Sequence, residues 1–196
     1  MSGVIFECQT IDGQRLQEGR IFFTLVTHRR RSLFGDPQAK ILLGNCFREC
    51  RARWFFETRA IVLLPDHLHA IWSLPGGDAD YSRRWSWIKK EFTKRWLTTN
   101  DQEADISSAR KREGRRGVWQ PRFWEHTIES EEDYERHFDY VHYNPVKHGF
   151  VNCPHEWACS CFHRWVKADV LPWHWACWQD GVKALSFEDI HQSVGE

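Results

Sequence analysis

Two histidines separated by a single residue, His67 and His69, form a pattern that can bind a divalent metal ion. They lie in the apolar stretch 67–74, which is predicted as a strand. Because successive side chains of a strand point to opposite faces, both imidazoles share one face while Leu68 points into the core. Two ring nitrogens on a rigid strand can hold one metal ion and leave coordination positions for phosphate oxygens. The alternative is a pair of histidines on the solvent face of an edge strand, and so short a motif does not decide between the two.

A second group of polar residues occupies the segment 139–145, Asp-Tyr-Val-His-Tyr-Asn-Pro. Tyr140 and Asn144 are four residues apart, so they share one face of a helix. The amide oxygen of Asn144 is a suitable third ligand, beside two histidines, for Mg²⁺ or Mn²⁺. A tyrosine on that face would lie near a metal-bound phosphate, but a phenol with a pKa of about 10 needs a nearby cation or base to attack it. A structural role for Tyr140, in the core or in helix capping, is the alternative.

A basic stretch from residue 83 to residue 122 contains 12 Lys and Arg residues against 5 Asp and Glu residues, within a chain of formal net charge 0. Tryptophans lie between these cations. Cations for phosphates and flat rings for bases suit a groove for single-stranded nucleic acid, although a solvated helix face has the same composition. Glu125 and His126 are candidates for flanking the metal or orienting the substrate, or they are two residues at a strand end that make local hydrogen bonds. The candidate substrate-binding residues are Arg83, Arg84, Lys89, Lys90, Lys94, Arg115, Arg116 and Arg122.

The elements that must position these groups follow from hydrophobic periodicity and from capping residues. Asp36 and Ser130 are predicted N-caps of two helices, and Pro145 is expected to end the last helix. The order β-α-β-β-α-β-α predicts an α+β sandwich of the ferredoxin-like (βαββαβ) kind, with an antiparallel sheet, helices on one face and a final catalytic helix. Strands are predicted at 21–27, 56–64, 67–74 and 123–129, helices at 38–53, 80–97 and 130–143, and a mobile loop at 98–117.

The length of 196 residues predicts one domain, placed at residues 1–150, with a Trp-rich C-terminal extension at 151–196 that packs on it. The neutral net charge excludes a histone-like basic DNA coat. No apolar run is long enough to span a membrane. The N-terminal residues do not resemble a signal peptide, which predicts a cytoplasmic protein.

The 7 cysteines are an odd number and, in a cytoplasmic protein, predict reduced thiols. Four Cys and His residues near the C-terminus could suggest zinc, but they lack paired Cys-x₂-Cys spacing. Structural or incidental thiols are therefore favoured over a zinc site. The four residues are His155, Cys159, Cys161 and His163.

Four sequence blocks, in this order, resemble those of the REP-associated tyrosine transposases. Residues 64–72, Leu-Pro-Asp-His-Leu-His-Ala-Ile-Trp, resemble the HUH motif region of that family. Residues 85–92, 119–126 and 139–149 are similar to three further blocks. The matches together cover about residues 20–165 and are specific as a set, whereas the His-x-His pattern alone is not.

The resemblance implies an HUH enzyme with His67 and His69 as the pair that binds Mg²⁺ or Mn²⁺ and with Tyr140 as the nucleophile. Asn144 occupies the position where related single-tyrosine transposases carry a polar metal ligand. Tyr143 competes for the nucleophile's role, but Tyr140 follows an aspartate as in the family pattern.

The implied activity is that of an endonuclease and strand transferase acting on single-stranded DNA. Cleavage leaves a 5′-phosphotyrosine link and a free 3′-OH that can later rejoin strands. The implied substrates are single strands with REP palindromes folded as hairpins, and the implied protein is a nucleoid-associated monomer. Two other function classes stay open: a non-catalytic protein that binds REP hairpins, and a metal-dependent phosphodiesterase that uses water.

Overall fold

A single antiparallel sheet forms the centre of the computed structural model, which describes residues 19–99, 104–178, 185–188 and 190. Its four strands follow the order β2-β3-β1-β4, so that β3 and β1 are the central strands. This arrangement confirms the predicted ferredoxin-like α+β fold. The strands are Arg20–Val26 (β1), Glu57–Leu63 (β2), His67–Ser73 (β3) and Trp124–Ile128 (β4). The α-helices are Pro37–Arg53 (α1), Tyr81–Thr99 (α2), Ser108–Arg112 (α3), Glu131–Lys147 (α4) and Phe162–Lys167 (α5), and short 3₁₀ helices lie at His28–Arg30, Leu33–Gly35 and Pro154–Glu156.

Both predicted N-caps are confirmed. The Asp36 side chain accepts a hydrogen bond from the backbone N–H of Gln38 at 2.7 Å, and Pro37 begins α1. The Ser130 hydroxyl accepts one from the N–H of Asp133 at 3.1 Å. Each cap satisfies a backbone donor that has no partner within the helix, and this determines where α1 and α4 begin.

The helices lie on both faces of the sheet rather than on one face as the sequence suggested. On the first face, Trp85 of α2 stacks on Trp72 of β3 with ring centroids 4.0 Å apart. On the opposite face, Tyr140 of α4 contacts His69, with centroids 5.2 Å apart. Alternation along β3 explains the difference, because its even-numbered side chains point toward α2 and its odd-numbered ones toward α4.

The sequence predicted that the last long helix ends before Pro145. In the structure α4 continues through this proline to Lys147. A proline inside a helix removes one backbone hydrogen bond. Here Asn144, Pro145 and Val146 are all buried, and the packing of this last turn outweighs the local preference.

The segment 98–117, predicted as a loop, contains helical residues in the structure. α2 extends to Thr99, and the short α3 lies at Ser108–Arg112.

The described part of the C-terminal extension packs on the sheet. Trp165 is buried, and its indole N–H donates to the backbone oxygen of Arg59 at 3.2 Å. The N–H of Leu63 donates to the carbonyl of Cys159, and the N–H of Cys161 donates to the carbonyl of Ile61. These bonds cover the outer edge of β2, which would otherwise present unpaired backbone groups. The division of the chain at residue 150 stays a prediction.

The expectation of reduced thiols is wrong for two cysteines, since Cys153 and Cys177 form a disulfide. They are 24 residues apart in sequence, and no local spacing signals such a pair. Four other cysteines, Cys46, Cys50, Cys159 and Cys161, are buried and form no disulfide with another described residue. Burial raises the pKa of the Cys50 thiol to about 12 and that of Cys46 to about 11, as expected of structural thiols.

Within the described residues, no helix combines the length and the apolar character needed to cross a lipid bilayer.

Candidate active site

The two histidines of β3 lie in the centre of the sheet, not on a solvent-exposed edge. Their ring centroids are 5.0 Å apart, and both side chains are buried. In the antiparallel register His69 is opposite Thr24 and His67 is opposite Val26 on β1. β3 is flanked by a strand on each side. The face on which His67 and His69 lie is covered by α4.

Each histidine is oriented through its Nδ1 atom. His69 Nδ1 is 2.9 Å from the hydroxyl oxygen of Thr24, and His67 Nδ1 is 2.6 Å from a carboxylate oxygen of Asp66. Burial raises the pKa of Asp66, but hydrogen bonds and charges from His67 and Arg30 outweigh that effect and lower it overall. Asp66 is therefore an anionic partner for His67. Partners of this kind orient metal-binding imidazoles, and coordination would then use Nε2 of each ring.

Tyr140 contacts this pair from α4, where its buried ring lies 5.2 Å from that of His69. The Lys147 ammonium donates a hydrogen bond to the Tyr140 hydroxyl oxygen at 3.1 Å. A cation at this position stabilises a phenolate. The sequence reasoning missed Lys147, although its spacing of seven residues from Tyr140 places it on the same helical face, two turns along.

Asn144 lies one turn after Tyr140 on that face and is buried. Among the described residues, neither its side-chain oxygen nor its nitrogen has a hydrogen-bond partner. Leaving such a group unsatisfied costs about 1–3 kcal/mol. The imidazole pair and this amide oxygen are a donor set that suits Mg²⁺ or Mn²⁺, so the residues fit the implied metal.

Phe187, in the C-terminal extension, lies over both candidate tyrosines. Its ring centroid is 5.6 Å from that of Tyr140 and 5.9 Å from that of Tyr143. Burial raises the pKa of Tyr143, and Tyr140 is at least as deeply buried, so burial does not distinguish the two residues. Tyr140 differs from Tyr143 in its contacts with a predicted metal ligand and with the Lys147 ammonium, and this favours Tyr140 as the nucleophile.

Four of the predicted substrate-binding residues, Lys89, Lys90, Arg115 and Arg116, line one cavity of about 390 Å³. Trp119 also lines it, so that cations and an aromatic ring occur together as a single-stranded groove requires. Lys94 and Arg122 are exposed elsewhere on the surface, as is Arg83, whose guanidinium lies 4.3 Å from the centre of the Trp54 ring.

Lys89 is anchored at the cavity wall. Its ammonium donates to the backbone oxygens of Gln120 at 2.8 Å and Pro121 at 3.4 Å. Burial, with a smaller effect of the Arg115 charge, lowers the pKa of Lys89 to about 8. An ammonium has three N–H donors, so Lys89 can bind one further acceptor while it holds these carbonyls.

Two predicted site residues have structural positions instead. Arg84 is buried, forms an ion pair with Asp78 and donates to backbone carbonyls. Its guanidinium therefore bonds to other groups of the protein instead of facing a substrate. Glu125 lies opposite Phe23, on the sheet face turned away from the histidine pair, and accepts a hydrogen bond from Tyr81 at 2.8 Å. It cannot flank a metal bound by His67 and His69, because strand alternation places it on the other face.

His126 is on the same sheet face as the histidine pair but is separated from it by Phe22. Its Nε2 is 2.8 Å from a carboxylate oxygen of Asp133, and its ring stacks on His137 at 4.6 Å. Phe22 in turn contacts His137 at 4.8 Å and His69 at 5.6 Å. The bond to Asp133, seven residues away, agrees with the alternative of local hydrogen bonds for His126, and a role in orienting substrate stays a prediction.

Comparison with known proteins gives similar relatives over most of the chain, although no family model matches it. A REP-associated tyrosine transposase from Escherichia coli is 40% identical over 161 residues, which cover 82% of this chain and 87% of that relative. A Haemophilus influenzae protein assigned to the same family is 39% identical over 158 residues, which cover 80% of this chain and 87% of that protein. A solved structure of a REP-associated tyrosine transposase bound to a REP hairpin is 35% identical, with a TM-score of 0.66, and covers 91% of this chain and 99% of that one.

Proposed function

The chain belongs to the REP-associated tyrosine transposase family, and we propose that it cleaves and rejoins single-stranded DNA at REP-type hairpins through a 5′-phosphotyrosine intermediate. The observation that carries this proposal is the contact between Tyr140 on α4 and His69 on β3, 71 positions earlier in the chain. α4 packs on the face of β3 that carries His67 and His69. Tyr140, the proposed nucleophile, is thereby next to the proposed metal ligands.

His67, His69 and Asn144 are the residues that would hold Mg²⁺ or Mn²⁺. Bound there, such an ion supplies Lewis-acid polarisation of the scissile phosphate. Asp66 and Thr24 keep the two imidazoles in a fixed orientation through their Nδ1 atoms, so the ligand atoms do not have to reorganise when substrate binds.

Tyr140 attacks the scissile phosphorus. A bond forms between its phenolic oxygen and phosphorus, and the bond from phosphorus to the 3′ oxygen of the preceding nucleotide breaks. The phenol proton is transferred overall to that 3′ oxygen, which leaves as a hydroxyl. Lys147, hydrogen-bonded to the phenolic oxygen at 3.1 Å, stabilises negative charge there as the proton departs. Rejoining is the reverse reaction with a 3′-OH as the nucleophile.

The basic cavity around Lys89, Lys90, Arg115 and Arg116 supports single-stranded DNA as the substrate. Its cations suit phosphates, and Trp119 offers an aromatic side chain against which a base could stack. The solved relative bound to a REP hairpin supports a hairpin of that kind as the partner.

One assay tests the proposal against its two competitors. The protein is incubated with Mn²⁺ and a single strand carrying a REP-type hairpin, and the products are separated on denaturing gels. A covalent protein–DNA band supports the tyrosine transferase. Cleaved DNA without that band indicates a phosphodiesterase that uses water, and a shifted native complex without cleavage indicates a binding protein.

The pH dependence of hairpin affinity tests the role of Lys89. Because the pKa of Lys89 is lowered to about 8 in the free protein, this side chain loses its charge as the pH rises from 7 to 9. A bound phosphate favours the charged form, so affinity should fall with rising pH, by at most about tenfold for each pH unit. Fluorescence anisotropy with a labelled hairpin measures the change.

The matched control is Lys89→Arg, which keeps a positive charge throughout this pH range. Its affinity should be nearly flat between pH 7 and pH 9 where that of the wild type declines. Equal pH dependence in the two proteins would show that Lys89 does not contact the DNA.

Removal of the ring that covers Tyr140 should increase cleavage. Phe187→Ala loses aromatic contacts with Tyr140 and Tyr143, each of the kind worth about 0.5–1.5 kcal/mol. If this segment shields the nucleophile, the initial rate of hairpin cleavage should rise about 3- to 10-fold. Trp178→Ala, which also removes a half-exposed aromatic ring from the extension, is the control and should leave the rate unchanged. An unchanged or lower rate in Phe187→Ala contradicts shielding.

A further inference from the structure

The structure brings together a set of metal-ligating side chains in the extension that differs from the set considered in the sequence. Cys153, His155 and Cys177 place two sulfurs and one imidazole nitrogen all within 4.8 Å of one another. Cys161, by contrast, accepts a hydrogen bond from the N–H of Ile61 and lies 3.4 Å from Nε2 of His142. It is thus part of the core rather than of a metal site.

The loop that carries Cys153 and His155 is held by hydrogen bonds that do not involve sulfur. A carboxylate oxygen of Glu156 accepts from the backbone N–H groups of Asn152 at 2.9 Å and Cys153 at 3.0 Å. Pro154 restricts the backbone between the two ligand residues. These contacts hold the loop through its backbone and use neither the sulfur of Cys153 nor the imidazole of His155.

The segment that carries Cys177 is joined to the same loop by two further contacts. The backbone N–H of Trp178 donates to the oxygen of Asn152 at 2.7 Å, and His155 Nδ1 is 3.1 Å from the backbone oxygen of Trp173. A carbonyl oxygen can only accept, so Nδ1 of His155 carries the proton and Nε2 carries the lone pair that a metal ion binds. Histidines that bind zinc are typically oriented by such a bond from the other nitrogen.

We propose that, when the disulfide is reduced, Cys153, His155 and Cys177 bind a zinc ion. Two thiolates and one imidazole are ligands typical of tetrahedral zinc sites. His174, which is exposed and whose ring centroid is 5.6 Å from that of His155, is the candidate for the fourth position. The ion takes over the link that the disulfide makes between the loop at residues 152–155 and the segment at residues 173–178.

The two forms are related by a balanced exchange. A pair of small-molecule thiols gives two electrons and two protons to the bond between Cys153 and Cys177, and the two small molecules are left joined as a disulfide. The resulting protein thiols then lose two protons when they bind Zn²⁺. Reoxidation by a small-molecule disulfide reverses the exchange and releases the ion.

Zinc content measures this directly. The full chain is purified in the presence of a small-molecule thiol and without chelators, and its metals are quantified by mass spectrometry. We expect about one zinc ion per chain, as a site with two thiolates holds zinc tightly. Cys153→Ser with Cys177→Ser, and separately His155→Ala, should reduce zinc to background, while Cys159→Ser should retain it. Thermal unfolding of each variant verifies folding.

Cobalt substitution in the wild-type chain is a second readout that needs no variant, because thiolate ligands produce a characteristic sulfur-to-cobalt charge-transfer absorbance.

The double variant His67→Ala with His69→Ala distinguishes this site from the candidate active site, and it should keep its zinc. The proposal is overturned if zinc is absent from the reduced wild type, if it persists without Cys153 and Cys177, or if it is lost with the two β3 histidines.

Discussion

Tyr140→Phe is expected to abolish the covalent protein–DNA adduct while it leaves hairpin affinity within about twofold of the wild type, because phosphate contacts elsewhere dominate binding. The phenylalanine ring keeps the contacts with Phe22, His69 and Phe187 but lacks the oxygen that attacks phosphorus. Loss of a nucleophile typically costs catalysis at least about 10³-fold. The adduct is measured on denaturing gels with end-labelled DNA, and affinity is measured by anisotropy.

The matched control is Tyr143→Phe, three residues away on the same helix and covered by the same Phe187 ring. This variant should form the adduct at close to the wild-type rate. An adduct that survives in Tyr140→Phe and disappears in Tyr143→Phe would assign the nucleophile to Tyr143. Cleavage that persists without an adduct in either variant would favour the enzyme that uses water.

His67→Ala and His69→Ala should each eliminate cleavage and leave hairpin binding nearly intact. A bound metal ion contributes several kcal/mol to a phosphoryl-transfer transition state, and each 1.36 kcal/mol corresponds to about tenfold in rate. A loss of about 10³-fold or more is therefore expected, and removal of divalent metal with a chelator should produce the same loss in the wild type. Single-turnover cleavage over a Mn²⁺ titration measures it.

Thr24→Val is a milder variant, and its loss of cleavage should be smaller than that of His67→Ala or His69→Ala. It keeps the shape of the side chain but removes the hydroxyl that is 2.9 Å from His69 Nδ1. Loss of such an orienting partner typically weakens metal affinity or activity by 10- to 100-fold, so the Mn²⁺ requirement should shift upward without a complete loss of cleavage. If hairpin binding falls together with cleavage in all three variants, the separation between chemistry and binding is wrong.

Lys147 and Asn144 show how far spacing along a helix can lead. Both follow Tyr140 at intervals that return to the same face, so their proximity is a property of helical geometry alone. The sequence pattern pointed to Asn144, because an amide oxygen is a suitable metal ligand and a lysine ammonium is not. The hydrogen bond from Lys147 to the phenolic oxygen could have been anticipated by the same reasoning carried one turn further.

Glu125 and Arg84 show where composition alone misleads. Both are charged residues near predicted site residues in the sequence. Glu125 faces away from the histidine pair because it is opposite Phe23 in the sheet register. Arg84 is buried by the packing of α2 and pairs with Asp78. A shift of one residue in strand register reverses the face of every side chain, so the face of Glu125 could not be decided without the sheet. The burial of Arg84 depends instead on how α2 packs, which its own sequence does not specify.

The amino-acid sequence by itself determined the local features of this protein: the helix starts at Asp36 and Ser130, the shared face of His67 and His69, and the shared face of Tyr140 and Asn144. These depend on backbone geometry over a few residues, which the residue types specify directly. Only the tertiary structure decided that β3 is central, that α4 covers the histidine face, that Phe187 covers Tyr140, and that Cys153 pairs with Cys177. Those contacts join residues far apart in the chain, and they depend on strand order, register and the packing of the whole core, which no local pattern encodes.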